Sequence, residues 1–221
     1  ITLTMSQKVS ETPLIPKQNP EATPLLTQIC KDGDETLLET FLSTHPNLDL
    51  NQPDEKGFLP LNYAILFNKS PRFIGLLLKA GALTNKVDAS HVPPLFHAIQ
   101  NGKKDLVKLL LENKADPNQS LLSGQSPLNT AILSHHRNAL QIVTLLLEKG
   151  ADPNQIDDNG RLPLTTALVT GQKKITTLLL ERGADPDQLD TKGMSALKYA
   201  KNNKEAPILD LLNRYKKPSK S

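Results

Sequence analysis

The feature that most limits what this chain can fold into is a period. Ala64, Ala98, Ala131, Ala167 and Ala200 recur at spacings of 34, 33, 36 and 33 residues, and each stands three residues after a leucine. Asn51, Asn85, Asn118, Asn154 and Asp187 repeat the same spacings. So do Pro60, Pro94, Pro127 and Pro163, with Ala196 in the last slot. Self-similarity at about 20–50 residues signals a row of small supersecondary units, each packing on its neighbours. Length alone is less informative, because 221 residues fit one or two ordinary domains at about 150 residues each. Composition agrees with small packets: 40 residues are Leu, aromatics are 4%, and Trp is absent. With so few rings for buried area, Leu, Ile, Val and Ala are expected to fill the interior. Phe is then hardly needed inside.

The phrases between these anchors recur too. Ala115-Asp116-Pro117-Asn118, Ala151-Asp152-Pro153-Asn154 and Ala184-Asp185-Pro186-Asp187 each follow a leucine triplet: Leu109–Leu111, Leu145–Leu147 and Leu178–Leu180. Each slot has a physical reason. Pro at the first helical turn loses no hydrogen bond and presets φ. The next Leu, the Ala and an apolar neighbour share one helical face. Gly102 and Gly171 suit the left-handed residue that ends a first helix, and Gly81, Gly150 and Gly183 that of a second. Leu106, Val107, Leu110 and Leu111 form the second helix's apolar face. Asp, Pro and Asn then suit a projecting turn, since Asp and Asn side chains can bond nearby amides. Helices of this length are marginal alone and need stacked neighbours.

This arrangement over about residues 21–215 resembles the ankyrin repeat, with its Thr-Pro-Leu-His-x-Ala start, Leu-Leu second helix and Gly-Ala-Asp-x-Asn end. The resemblance implies an all-α solenoid of about six helix-turn-helix repeats with projecting β-turn fingers. The units expected are about 21–50, 51–84, 85–117, 118–153, 154–186 and 187–215, with degenerate ends. Residues 1–20 read as a disordered leader and 216–221 as a basic tail. Met5 is a candidate natural start.

The sequence departs from the family pattern in places. The capping Thr slot holds Leu59, Pro93, Ser126, Leu162 and Ser195, so only the two Ser residues keep a capping hydroxyl. The His slot holds Asn62, Phe96, Asn129, Thr165 and Lys198, which requires an altered hydrogen-bond network. Lys114 stands where sister repeats have Gly, and about three extra residues lie around Ser134–Ala139.

Chemistry-bearing patterns are missing from the sequence. Cys30 is the only cysteine, so neither an intramolecular disulfide nor a cysteine zinc site can form, and it reads as a core residue. His45, His91, His97, His135 and His136 have no metal-binding spacing and read as solvated loop residues. There is no Gly-rich phosphate loop and no nucleophile elbow. Acid pairs such as Asp157-Asp158 fall in turn slots. No enzyme activity, cofactor or metal is expected. No apolar run is long enough to span a membrane, and no signal peptide is visible. From Lys198 onward the chain carries seven basic and two acidic residues, so the preceding body is slightly acidic although the whole is +3. Nucleic acid is therefore not an expected partner, because that needs a basic face on the folded part. Pro13-Leu14-Ile15-Pro16-Lys17 is a weak polyproline pattern.

The resemblance implies a non-enzymatic module that binds a protein partner on its concave face and finger tips. Carried over slot by slot, the finger positions give Phe58, Val92, Leu121, Leu122, Arg161 and Met194, and the ends of the first helices give Phe67, Leu133 and Val169. The apolar ones among them occupy slots that the fold need not bury, and a contiguous exposed apolar patch marks an interaction surface. Phe58 and Phe67 stand out as scarce aromatics. A monomer in the cytoplasm is expected. The alternative is a targeting portion of a larger protein, or an effector delivered into host cells, since the style is similar to ankyrin proteins of intracellular bacteria.

Overall fold

The structure is a computed structural model that describes residues 21–216. Twelve α-helices and no strand occur among the described residues. They pair in order: α1 (Ala22–Asp32) with α2 (Glu35–Thr44), α3 (Pro60–Leu66) with α4 (Pro71–Lys79), and α5 (Pro94–Gln100) with α6 (Lys104–Glu112). α7 (Pro127–Leu133) pairs with α8 (Ala139–Glu148), α9 (Pro163–Val169) with α10 (Lys173–Glu181), and α11 (Ala196–Asn202) with α12 (Ala206–Arg214). Odd helices pack on odd helices all along the stack, and even on even from α2 to α10. The leader and residues 217–221 lie outside the described residues.

The repeated alanines explain the close packing of the odd row. All five are fully buried, and a larger side chain would push neighbouring odd helices apart. Four of their carbonyls also close the first helix. Those of Ala64, Ala98, Ala167 and Ala200 accept from the amides of Lys69, Lys103, Gln172 and Glu205 at 2.8–3.0 Å. The exception is Ala131, whose carbonyl accepts the Ser134 hydroxyl at 2.8 Å. That is where the extra residues enter. They do not hang free: a His136 ring nitrogen lies 2.6 Å from the Gln100 carbonyl, and the Asn138 amide donates to the Gly102 carbonyl at 2.9 Å. The insertion thus seals against the preceding repeat.

The interior contradicts one expectation. Phe41, Phe73 and Phe96 are buried, so three of five phenylalanines serve the core. Phe96 fills the slot of the family's His with pure apolar volume. The second helix of the first unit, α2, buries Leu38 and Phe41 but leaves Leu37 exposed. At the other end only Leu212 of α12 is fully buried, and Ile208, Leu209 and Leu211 are half-buried.

The turn asparagines also act differently from the sequence reading. Asp116, Asp152 and Asp185 do bond the amide two residues on, as expected for local turns. The asparagines instead reach the next turn of the stack. Asn118 donates to the Gly150 carbonyl at 2.9 Å and accepts from the Asp152 amide at 2.9 Å. Asn51, Asn85 and Asn154 make the same two-bond clamp. Gln119, Gln155 and Gln188 bond back to the carbonyls of Asn85, Asn118 and Asn154. The last turn has Asp187 instead, whose carboxylate lies 3.5 Å from the Lys216 ammonium.

Two stability predictions result. Asn118→Ala removes both bonds of one clamp, and thermal or urea unfolding should show a loss of about 1–3 kcal/mol at about 1 kcal/mol per bond. Lys114 holds φ 67°, in the left-handed slot where its sister repeats have glycine. Lys114→Gly should therefore stabilise the fold by about 0.4–1 kcal/mol, and a lower melting temperature would count against this origin of the strain.

Candidate functional site

Four of the five fingers are built around an aspartate: Asp54, Asp88, Asp157 and Asp190. The Asp54 carboxylate accepts the amides of Lys56 and Phe58 at 3.0 Å through one oxygen, and the Tyr63 hydroxyl at 2.5 Å through the other. Asp88 binds the amides of Ser90 and Val92, and its second oxygen lies 2.9 Å from a ring nitrogen of His97. Asp157 binds the amides of Asn159 and Arg161, and its second oxygen takes the Arg161 guanidinium and the Asn129 amide. His97 is accordingly a half-buried helix residue holding a finger, not a solvated loop residue. Asp157, expected simply as a turn residue, is buried and paired. Leu121 replaces the aspartate in the third finger, which keeps its turn through backbone bonds alone.

The altered His slot has a traceable consequence. Asn129 also donates to the Arg161 carbonyl at 3.2 Å, which already accepts the Asp157 amide at 3.1 Å. The Arg161 carbonyl is thus turned to the finger, and Arg161 precedes the N-cap Leu162, so α9 itself offers no carbonyl four residues before Thr165. Thr130, Thr166, Thr170 and Thr176 all bond the carbonyl at that distance. Thr165, only 8% exposed, is left without a partner. Of the Ser/Thr capping slots, Ser126 and Ser195 do cap α7 and α11.

The structure brings three of the predicted residues into one groove of about 270 Å³ between the odd helices and the fingers. Leu133, Arg161 and Val169 line it with Thr165, Thr166 and Lys192. Val169 is 60% exposed, and Leu133 and Arg161 are half-buried. A second apolar patch lies at the other end of the row. The Tyr63 ring sits 5.5 Å from Phe58 and 6.3 Å from Phe67. Phe67 is 51% exposed, with the Lys69 ammonium above it, while Lys31 covers Tyr63. Phe58 is half-buried and packs on the core. Leu122 is 79% exposed on its fingertip, outside the groove. Val92, Leu121 and Met194 are half-buried within their fingers. Sequence reasoning did not single out Tyr63, which joins the aromatic patch through its finger bond, nor exposed Ile156 and Leu189 just ahead of their finger aspartates. The recurring apolar residue before Asp157 and Asp190 was the available signal for the last two.

Burial pushes the Cys30 thiol up to about 12, which makes it a packed, unreactive group. Among the described residues no cluster of three or more His, Cys, Asp or Glu is arranged to hold a metal, and no helix is long and apolar enough to cross a membrane. Burial works to raise the Asp54 carboxyl, but the bonds from Tyr63, Phe58 and Lys56 outweigh it and hold the carboxyl below its usual value. Burial, with Asp54 beside it, pushes the Tyr63 phenol up to about 12.

A carboxyl depressed by folding stabilises the protein above its unfolded pKa, and the gain is lost as pH falls through the folded value. Tyr63→Phe removes one of the depressing bonds. It should lower neutral-pH stability by about 1 kcal/mol and move the acid-unfolding midpoint to higher pH, measured by circular dichroism. Thr165→Val replaces an unbonded hydroxyl by a methyl of equal size and should raise stability by up to about 1 kcal/mol in chemical denaturation.

The model of ankyrin repeats in three copies matches residues 68–157 and 136–220. Among curated proteins, the chain is 40% identical over 84 residues to zygote-specific protein 3 of Chlamydomonas reinhardtii, covering 38% of this chain and 22% of that one. It is 31% identical over 105 residues to the B-cell lymphoma 3 protein homolog of Mus musculus, covering 46% and 23%. The chain thus spans less than a quarter of the length of either of these two relatives. Among solved structures, the ankyrin repeat protein EF0377 superposes with a TM-score of 0.73 at 26% identity, covering 87% of this chain and 98% of that one. An ankyrin repeat domain from Acinetobacter baumannii gives 0.76 at 24% identity, over 86% and 97%. With the period, the stacked helix pairs and these matches in agreement, the chain belongs to the ankyrin-repeat family.

Proposed function

We propose that this chain is a non-enzymatic module that binds another protein along its finger-facing surface. The observation that carries the reading is the groove where exposed Val169 and half-buried Leu133 meet the Arg161 finger. Folding leaves this apolar surface uncovered, and burying it would contribute to binding at about 25 cal/mol per Å². The aromatic patch of Phe58, Tyr63 and Phe67 supplies a second anchor at the far end of the same row. Leu122 adds an apolar fingertip. With neighbouring helices about 10 Å apart, one extended segment or one folded surface could reach both anchors. Val92, Leu121 and Met194 shape the fingers beside them. A second reading, in which the stack targets an activity carried elsewhere on a longer chain, is supported by the small share of the Chlamydomonas and mouse relatives that it matches.

Affinity capture with mass spectrometry tests the first reading. Leu133→Asp with Val169→Asp should abolish recovery of a specific partner, and Phe58→Ala with Phe67→Ala should weaken it by about tenfold, as hot-spot truncations do. Leu37→Asp, exposed on α2 in the even row and away from the groove, should leave it unchanged. Equal loss in all three folded variants would remove the groove from the account.

A further inference from the structure

The turns that join each odd helix to its even partner lie at the opposite end of the odd helices from the fingers. In the second to fifth helix pairs this edge carries Lys69, Lys103, Lys104, Arg137, Lys173 and Lys174 against one carboxylate, Asp105. All but half-buried Lys69 are exposed. Arg72 nearby is occupied by Glu35 and Glu39, but none of the six forms an ion pair among the described residues. The fingers lean the other way, with Asp54, Glu55, Asp88, Asp157, Asp158 and Asp190 against Lys56, Arg161 and Lys192. Folding therefore sorts a nearly neutral body into an acidic edge and a basic edge. In the middle of the basic edge a groove of about 480 Å³ is lined by Lys69, Lys103, Lys104 and Arg137, four cations to the single carboxylate of Asp105, with Asn138 as a hydrogen-bonding group.

We propose that this edge is a docking surface for an acidic, extended segment of a partner protein, separate from the finger-facing groove. Charge complementarity sets the sign of the partner. Unpaired like charges side by side are a cost in the free protein that an acidic partner relieves. The repeat sets the spacing. Cations recur once per helix pair, about 10 Å apart, and a polyproline II chain turns once every three residues in about 9 Å. An acidic residue at every third position thus meets successive turns. Residues 101–103, 134–138 and 170–172 carry no Phe, Tyr, Trp, Leu, Ile or Val, and the one exposed phenyl ring along the edge is Phe67 in the turn after α3, beneath Lys69. A single phenyl ring makes no run of platforms for successive single-stranded bases and no apolar face for a lipid surface, which favours an acidic protein segment over RNA or membrane.

The probe is a dye-labelled peptide of four Glu-Pro-Pro units, with four Gln-Pro-Pro units as its uncharged match, read by fluorescence anisotropy on the full chain at rising salt. The acidic peptide should bind, weaken as salt rises, and exceed the uncharged one by about tenfold or more. Lys103→Glu with Lys104→Glu and Arg137→Glu should weaken it by about tenfold or more. Lys56→Glu with Lys79→Glu and Lys192→Glu, an equal change in net charge, should leave affinity within about twofold, both variants matching the parent's circular dichroism. The proposal fails if the peptide does not bind, or if the two triple variants lose affinity equally. It also fails if Lys217→Glu with Lys220→Glu alone removes binding, or if duplex RNA or phosphatidylserine vesicles displace the peptide at lower concentration.

Discussion

The structure depends on the clamp between successive turns. A helix pair of this size cannot bury enough surface to stand alone. Its neighbours must therefore sit at one fixed offset, and leucine packing is too permissive to define that offset. The asparagine side chain defines it by holding a carbonyl and an amide of the next turn at once, a geometry that a shift of an ångström would break. Asn51, Asn85, Asn118 and Asn154 repeat it with nearly constant distances. Asp187 shows the rule by exception. An aspartate cannot donate to a carbonyl, and its carboxylate faces the Lys216 ammonium instead.

The period made the architecture legible because it is set by local chemistry repeated five times. Pro at the helix start, buried Ala and a left-handed residue at each helix end are all demands that one residue type answers. What stayed hidden were contacts across a full period. The Asn118 and Gly150 partners are 32 residues apart, and no short-range rule pairs them. Aromatic scarcity misled for a similar reason. Phe73 and Phe96 are buried because single slots happen to be wide, and slot width is a property of the stack. The groove was half legible: the slots of Leu133 and Val169 could be read, but their meeting with Arg161 required the finger geometry.

Charge sorting shows the same limit from another side. A sequence total cannot distinguish mixed charges from segregated ones. Here the period segregates them, because every turn of one kind falls on one edge and every finger on the other. A small bias per repeat adds along the stack instead of averaging out.

Thr165 shows how one slot of a repeat protein can work across the boundary between units or fail to. One repeat earlier the slot holds Asn129, whose amide reaches forward to the Asp157 carboxylate and the Arg161 carbonyl. It thereby buttresses the finger that forms one wall of the groove. The threonine side chain is one atom shorter, and its hydroxyl stays inside the stack without a partner. Thr130 and Thr166 stand one position further along, where the N-cap carbonyl of their own helix accepts the hydroxyl. The same residue type is thus satisfied or orphaned by a shift of one position, because the first helical carbonyl of α9 lies four residues before Thr166 and not before Thr165.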